Sequence, residues 1–189
     1  MKELIEVRWH GRGGQGAKTA AQFLAEAALD AGKFIQAFPE YGPERAGAPI
    51  RAYTRISDKP INIHSSVTNP DAVVVIDSTL LTQEVLEGLP ENGILVVNTH
   101  ESAADVRKKL GYNTGKVAVV DATRIALDTI KAPMTNTPML GALLKVVPVV
   151  SVEAIQEKIK NKFLKKIGEK KTESNLEAIK RAYNEVQVD

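Results

Sequence analysis

The chain has 189 residues, with 25 Lys and Arg against 23 Asp and Glu, and a formal charge of +2. So even a balance argues against nucleic acid or a membrane surface as partner, and 43% hydrophobic with 25% charged residues is ordinary for a globular protein. The sequence has no cysteine, which excludes disulfides, thiolate metal sites, a cysteine nucleophile and a cysteine-held iron–sulfur cluster in this chain.

His10, His64 and His100 are far apart, so no metal site is expected. No apolar run approaches the roughly 18 residues that span a bilayer. Met1-Lys2-Glu3 leads straight into a strand pattern, so no signal peptide is expected and the expected compartment is the cytoplasm. The length suits one domain over residues 1–189, with a core over 4–147 and a C-terminal helical extension over 151–188.

In chain order, Leu4 to His10 reads as a strand, Ile5, Val7 and Trp9 alternating with Glu6 and Arg8. A glycine-rich loop follows. Ala17, Ala20, Ala21, Leu24, Ala27 and Ala28 then have helical spacing, and Gly32 supplies a stop. Phe34 to Phe38 is a second strand, and a parallel pair joined by the helix is the default topology for residues 4–38. Pro39 to Pro49 is a loop. Ile50 to Ile56 alternates as a strand, with Arg51, Tyr53 and Arg55 on one face, either solvated or docked on a partner. After the turn at Ser57 to Pro60, Ile61-Asn62-Ile63 could return as a hairpin partner.

Ala72 to Ile76, Ile94 to Val97 and Val117 to Val120 are continuous apolar strands, the pattern of a sheet covered on both faces. Asp77 and Asp121 follow two of them and read mainly as helix caps. Asn136-Thr137-Pro138 supplies a cap and a first-turn proline for a helix to Val147. Ser151 caps a helix with the stripe Val152, Ile155, Ile159, Phe163 and Ile167. The capping box Ser174-Asn175-Leu176-Glu177 opens a last helix burying Leu176, Ile179, Tyr183 and Val186. The lysines from Lys158 to Lys171 read as a solvated helix face. The expected fold is therefore α/β: a Rossmann-like three-layer sandwich with a mostly parallel sheet, an antiparallel hairpin component and C-terminal helices.

Gly11, Gly13 and Gly16 fit G-x-G-x-x-G, a pattern expected by chance about 0.06 times in a chain with 13 glycines in 189 residues. Its place between a strand and an alanine-rich helix is that of a phosphate-binding turn, where glycines let the backbone approach and a helix amino end faces the anion. Arg12 and Lys18 add positive charge. The alternative is a bare strand-to-helix turn. His10 abuts the loop and reads as a packed strand-end histidine rather than a ligand. A dinucleotide site also wants an acid at the end of the second strand. That strand ends Gln36-Ala37-Phe38-Pro39, with Glu40 only beyond the proline, which disfavours an NAD-dependent dehydrogenase. A stand-alone adenine-nucleotide-binding or regulatory module remains a second possibility.

Gly11-Arg12-Gly13-Gly14-Gln15-Gly16 together with Phe38-Pro39-Glu40-Tyr41-Gly42-Pro43-Glu44-Arg45-Ala46-Gly47-Ala48-Pro49 resembles the gamma subunit of 2-oxoacid:ferredoxin oxidoreductases, the group containing pyruvate synthase. Arg55 to Asp58, Asp71 to Asp77, Asp121-Ala122-Thr123 and Asn136 to Lys145 agree with it. The resemblance implies a subunit of an enzyme that oxidatively decarboxylates a 2-oxoacid, most simply pyruvate, with coenzyme A and ferredoxin to an acyl-CoA and CO2, or runs the reverse synthesis. It implies alpha, beta and delta partners, with thiamine diphosphate and magnesium on alpha and beta and iron–sulfur clusters on beta and delta. This chain would then hold no catalytic residue and be inactive alone. Coenzyme A is the implied ligand of the glycine loop. The site residues expected on this basis are Gly11, Arg12, Gly13, Gly14, Gln15, Gly16, Tyr41, Gly42, Glu44 and Arg45. Ala46 stands where a second arginine would be expected. Glu44 and Arg45 otherwise read as a surface ion pair.

Overall fold

The structure, a computed structural model, describes residues 3–40 and 46–189, so Tyr41, Gly42, Glu44 and Arg45 lie outside the described residues. In chain order the strands are β1 (Leu4–Arg12), β2 (Phe34–Pro39), β3 (Pro49–Ser57), β4 (Ala72–Val75), β5 (Ile94–Asn98), β6 (Lys116–Val120) and β7 (Gln187–Val188). The helices are α1 (Ala17–Asp30), α2 (Ala103–Leu110), α3 (Ala122–Thr129), α4 (Asn136–Val146), α5 (Val152–Ile167) and α6 (Glu169–Glu185). Short 3-10 turns over Ser78–Leu80 and Gln83–Leu86 follow β4.

The strands form one sheet in the order β2-β3-β1-β4-β5-β6-β7. β1, β4, β5 and β6 run parallel, while β3 is antiparallel to both of its neighbours and β7 is antiparallel to β6. The valine-rich strands are buried on both faces because both faces are covered. Val74, Ile76, Val96, Ala118 and Val120 share a core with α1, α3, α4, α5 and α6. Val73, Val75, Leu95, Val97, Val117 and Val119 face α2 and the 3-10 turns. That is the expected α/β arrangement of helices about a sheet.

Several local expectations need correction. β2 does not pair with β1, because β3 inserts between them and pairs with β1 from Leu4↔Ser57 to Arg12↔Pro49. Ala52 to Ser57 are all buried, whereas β2 is partly exposed and ends in a proline, which suits an edge. Ile61 to Ile63 form no strand. The nearby carbonyls are taken by side chains instead: Gln36 donates to Ile63 O (2.9 Å) and Arg55 to Ser65 O (2.8 Å). The Arg51/Tyr53/Arg55 face is neither solvated nor left for a partner at its centre, since Tyr53 and Arg55 are buried within the chain itself. Register is the reason: Glu6 lies opposite Arg55, and the two pair at 2.7 Å.

At the C-terminus, Ser151 caps α5 as expected, accepting from the Ala154 N–H at 3.1 Å. α6 begins five residues before the predicted capping box, at Glu169, and Ser174 bonds back to Lys170 O inside the helix. The lysine face is mostly exposed, but Lys158 and Lys162 reach across to Asp30 and Glu26 of α1 (both 2.5 Å). Thr135, not Asn136, occupies the cap position of α4, and it makes no side-chain cap bond.

Candidate functional site

β1 runs through Gly11 and Arg12 before the chain turns into α1. Gly14 (φ 94°) and Gly16 (φ 81°) adopt left-handed backbone, which L side chains resist. Ala17, Ala20 and Ala21 are buried, so α1 lies close against the sheet. Gln15 closes the turn on itself: its side-chain oxygen accepts from the Arg12 N–H (2.7 Å), and its own N–H donates to Arg12 O (3.0 Å).

The loop is fastened on two sides. Gln15 Nε2 donates to Asp77 Oδ2 (2.6 Å), and the Arg12 guanidinium donates to Thr79 Oγ1 (2.9 Å) and pairs with Asp77 (3.4 Å). On the other side Gly13 N–H donates to Ala48 O (2.8 Å), Gly47 N–H to Gly13 O (3.2 Å) and Arg12 Nη1 to Gly47 O (3.1 Å). The structure therefore brings the end of the second predicted loop onto the glycine loop.

Partial burial pushes the Asp77 carboxyl up, but hydrogen bonds from Thr79 and Gln15, together with the Arg12 charge, outweigh it and hold the group below its usual value. Arg12 and Asp77 thus largely neutralise each other. What attracts an anion is the amino end of α1, about half a positive charge. Its first turn contains no acid. Lys18 is exposed there and pairs with no described residue.

His10 is buried and accepts from Arg8 Nε at 3.0 Å. Burial, then the charges of Arg8 and Arg51, push its pKa down to about 3, so it is a neutral packed histidine. Asp121 caps α3, accepting from the Arg124 N–H (2.9 Å), as the sequence suggested. Asp77 caps its 3-10 turn too, but its clamp on the glycine loop was not foreseen. An acid ending the strand beside β1 was the available signal. Beyond it, a polar groove over the carboxyl ends of β5 and β6 is lined by Asn98, Thr99, His100, Asp121 and Arg124.

A glycine turn clamped at the carboxyl ends of parallel strands, ahead of an acid-free helix start, is the geometry of an α/β protein whose ligand sites lie at that rim of the sheet. The family described as pyruvate ferredoxin/flavodoxin oxidoreductase matches residues 6–185, and the chain belongs to that family as a gamma-type subunit. It is 56% identical to the pyruvate synthase subunit PorC of Thermotoga maritima over 98% of this chain and 96% of that one. A crystal structure of the Thermotoga maritima subunit superposes with a TM-score of 0.90 at 53% identity, over 100% and 99% of the two chains. The pyruvate/ketoisovalerate oxidoreductases common subunit gamma of Thermococcus kodakarensis is 50% identical over 98% of each chain. The 2-oxoglutarate:ferredoxin oxidoreductase of Magnetococcus marinus shares the fold, with a TM-score of 0.76 at 20% identity over 97% of this chain and 31% of that one.

Proposed function

We propose that this gamma subunit serves a cytoplasmic complex in which a 2-oxoacid, pyruvate first, and coenzyme A become an acyl-CoA and CO2. Ferredoxin accepts the electron pair, or donates it in the reverse direction. The observation that carries this reading is nearly full-length identity, 56% and 50%, to subunits named for pyruvate synthase and for pyruvate and ketoisovalerate oxidoreductases. Alpha, beta and delta chains supply thiamine diphosphate, magnesium and the iron–sulfur clusters. This cysteine-free chain has no thiolates with which to hold a cluster.

In this reading the loop Gly11 to Gly16, together with Tyr41, Gly42, Glu44 and Arg45, contacts the phosphate-bearing end of coenzyme A. The clamp geometry supports it. The hydrogen bonds of Gly13 and Gln15 fix the turn that leads into α1, whose amino end favours a bound anion. The chain's own part is to bind and orient, since its clamped groups are neutralised in pairs rather than poised for proton transfer.

Purification from the source organism tests the assignment. The chain should co-elute with thiamine- and cluster-bearing partners in a fraction that reduces ferredoxin with pyruvate and coenzyme A. By itself it should oxidise no 2-oxoacid. A partner-free chain that binds and reduces NAD would overturn the reading. For the loop, Gly13→Asp places a negative charge against the bound phosphate, and unchanged coenzyme A affinity in the assembled complex would count against the site.

A further inference from the structure

We propose that Asn136, held between the amino ends of α1 and α4, forms a subsite for a phosphate or diphosphate group. The inference rests on the coenzyme A reading of the glycine loop and adds a binding residue from a distant part of the chain.

Asn136 opens α4 yet does not cap it. Its side chain lies against Gly16, the residue before α1: a Cβ built on Gly16 would sit 2.6 Å from Asn136 Nδ2 and 2.9 Å from Cγ. The glycine is thus needed for space as well as for its φ of 81°. The approach also sets the start of α4 against the start of α1. Two helix amino ends, each with unpaired N–H groups and a partial positive charge, converge on one side-chain amide.

Asn136 is only 5% exposed, and among the described residues its amide has no hydrogen-bond partner. An amide left unpaired in a nearly enclosed residue keeps its contact with water or a ligand. No fully enclosed side-chain polar atom among the described residues is unpaired, so the small exposed fraction of Asn136 includes its unpaired amide. The neighbouring Thr135 hydroxyl is equally buried and without a described partner. Donors dominate the site: the Asn136 amide N–H2, the first N–H groups of α1 and the N–H groups of Asn136 and Thr137 in α4, since Pro138 has none. Neither helix carries an acid in its first turn. Uncharged donors at two helix starts suit a phosphate oxygen rather than a carboxylate-seeking cation.

Asn136→Asp tests the assignment with almost no change of shape. It puts a negative charge where the anion would sit, while an acid at a helix start should leave the folded chain as stable as before or more so. Binding of inorganic pyrophosphate to the purified complex, followed calorimetrically, should weaken about tenfold or more in Asn136→Asp and by less in Asn136→Ala. The same ordering should appear in the KM for coenzyme A. Comparable losses with coenzyme A and dephospho-coenzyme A assign the diphosphate, and a loss confined to coenzyme A assigns the 3′-phosphate. Pyrophosphate binding that is absent from the wild type, or equal in Asn136→Asp, overturns the subsite. A complex that binds pyrophosphate through Asn136 but forms no acyl-CoA leaves the subsite standing and sinks the coenzyme A reading instead.

Discussion

The Gln15 side chain donates to Asp77 across 2.6 Å, and that bond joins the turn after β1 to the turn after β4. Both turns lie at carboxyl ends of adjacent parallel strands, so the bond stiffens the rim where such sheets carry their ligands. Asp77 also takes the Thr79 N–H (2.9 Å) and hydroxyl (2.7 Å), which makes it the hub of the rim.

Asp77→Ala should therefore do more than remove a cap. It strips Gln15, Thr79 and Arg12 of a common acceptor, and bonds to a charged group are worth about 1.5–3 kcal/mol each before relaxation. A net loss of about 2–3 kcal/mol in urea unfolding is expected, with Gln15→Ala costing less because Asp77 keeps Thr79 and Arg12. Equal losses in the two variants would show that the clamp, not the hub, carries the stability.

The two left-handed glycines separate conformation from space. A Cβ on Gly14 meets nothing within 4 Å, whereas one on Gly16 meets the Asn136 amide. Gly14→Ala should cost only the backbone penalty, about 1–2 kcal/mol. Gly16→Ala adds a collision in a packed site and should cost about 3 kcal/mol or more. If denaturant midpoints rank them the other way, the Gly16–Asn136 contact is not as close as the structure shows.

At this rim the turn itself is legible in the sequence, but its fastening to Asp77 is not. Glycines between a strand and an alanine-rich helix can do little else, and continuous Val runs announce a doubly covered sheet. The pairing order is not legible either, because β3 displaces β2 from β1 through full-length register with β1, a long-range property that periodicity does not encode. Asn136 read as a cap because Asn before Thr-Pro has that local signature. Its place against Gly16, 120 residues earlier, depends on how α4 packs on α1. Arg55 reads as part of a strand face either solvated or docked on a partner, and Arg8 only as a polar alternate of the first strand, because periodicity does not say which polar side chain is buried. Their burial depends on carbonyls from Val85, Glu87 and Ser65 that come from remote loops.

His10 makes a prediction about pH. Burial beside Arg8 and Arg51 lowers its pKa from 6.5 to about 3 in the folded chain. The unfolded chain therefore takes up the proton first as the pH falls. Stability is complete above about pH 6.5 and is lost as the pH drops toward 3, by up to about 1.4 kcal/mol per unit. Asp77 and Glu185, also lowered, lose their contributions only as the pH falls to about their ordinary values of 3.8 and 4.5 and below, so the interval from pH 6.5 to about 5 isolates the histidine. His10→Gln should flatten the unfolding free energy across that interval, and an unchanged slope would place the titration elsewhere.

Arg55 is 1% exposed, and its guanidinium is fully engaged: Glu6 at 2.7 Å, Gln36 at 3.0 Å and Ser65 O at 2.8 Å, with the plane 5.4 Å from the Phe38 ring centre. Arg55→Ala leaves the mostly enclosed Glu6 carboxylate without its cation, and such losses run to about 3–5 kcal/mol. Arg55→Lys keeps the charge but not the fork that reaches three acceptors on three segments, so it should fall between Ala and wild type. Adding Glu6→Gln to Arg55→Ala removes the stranded charge and should recover at least about 1 kcal/mol, a coupling expected only of residues in direct contact. If the double variant is no more stable than Arg55→Ala, the arginine acts mainly by pinning the loop at Ser65 to the sheet, and Glu6 is incidental to it.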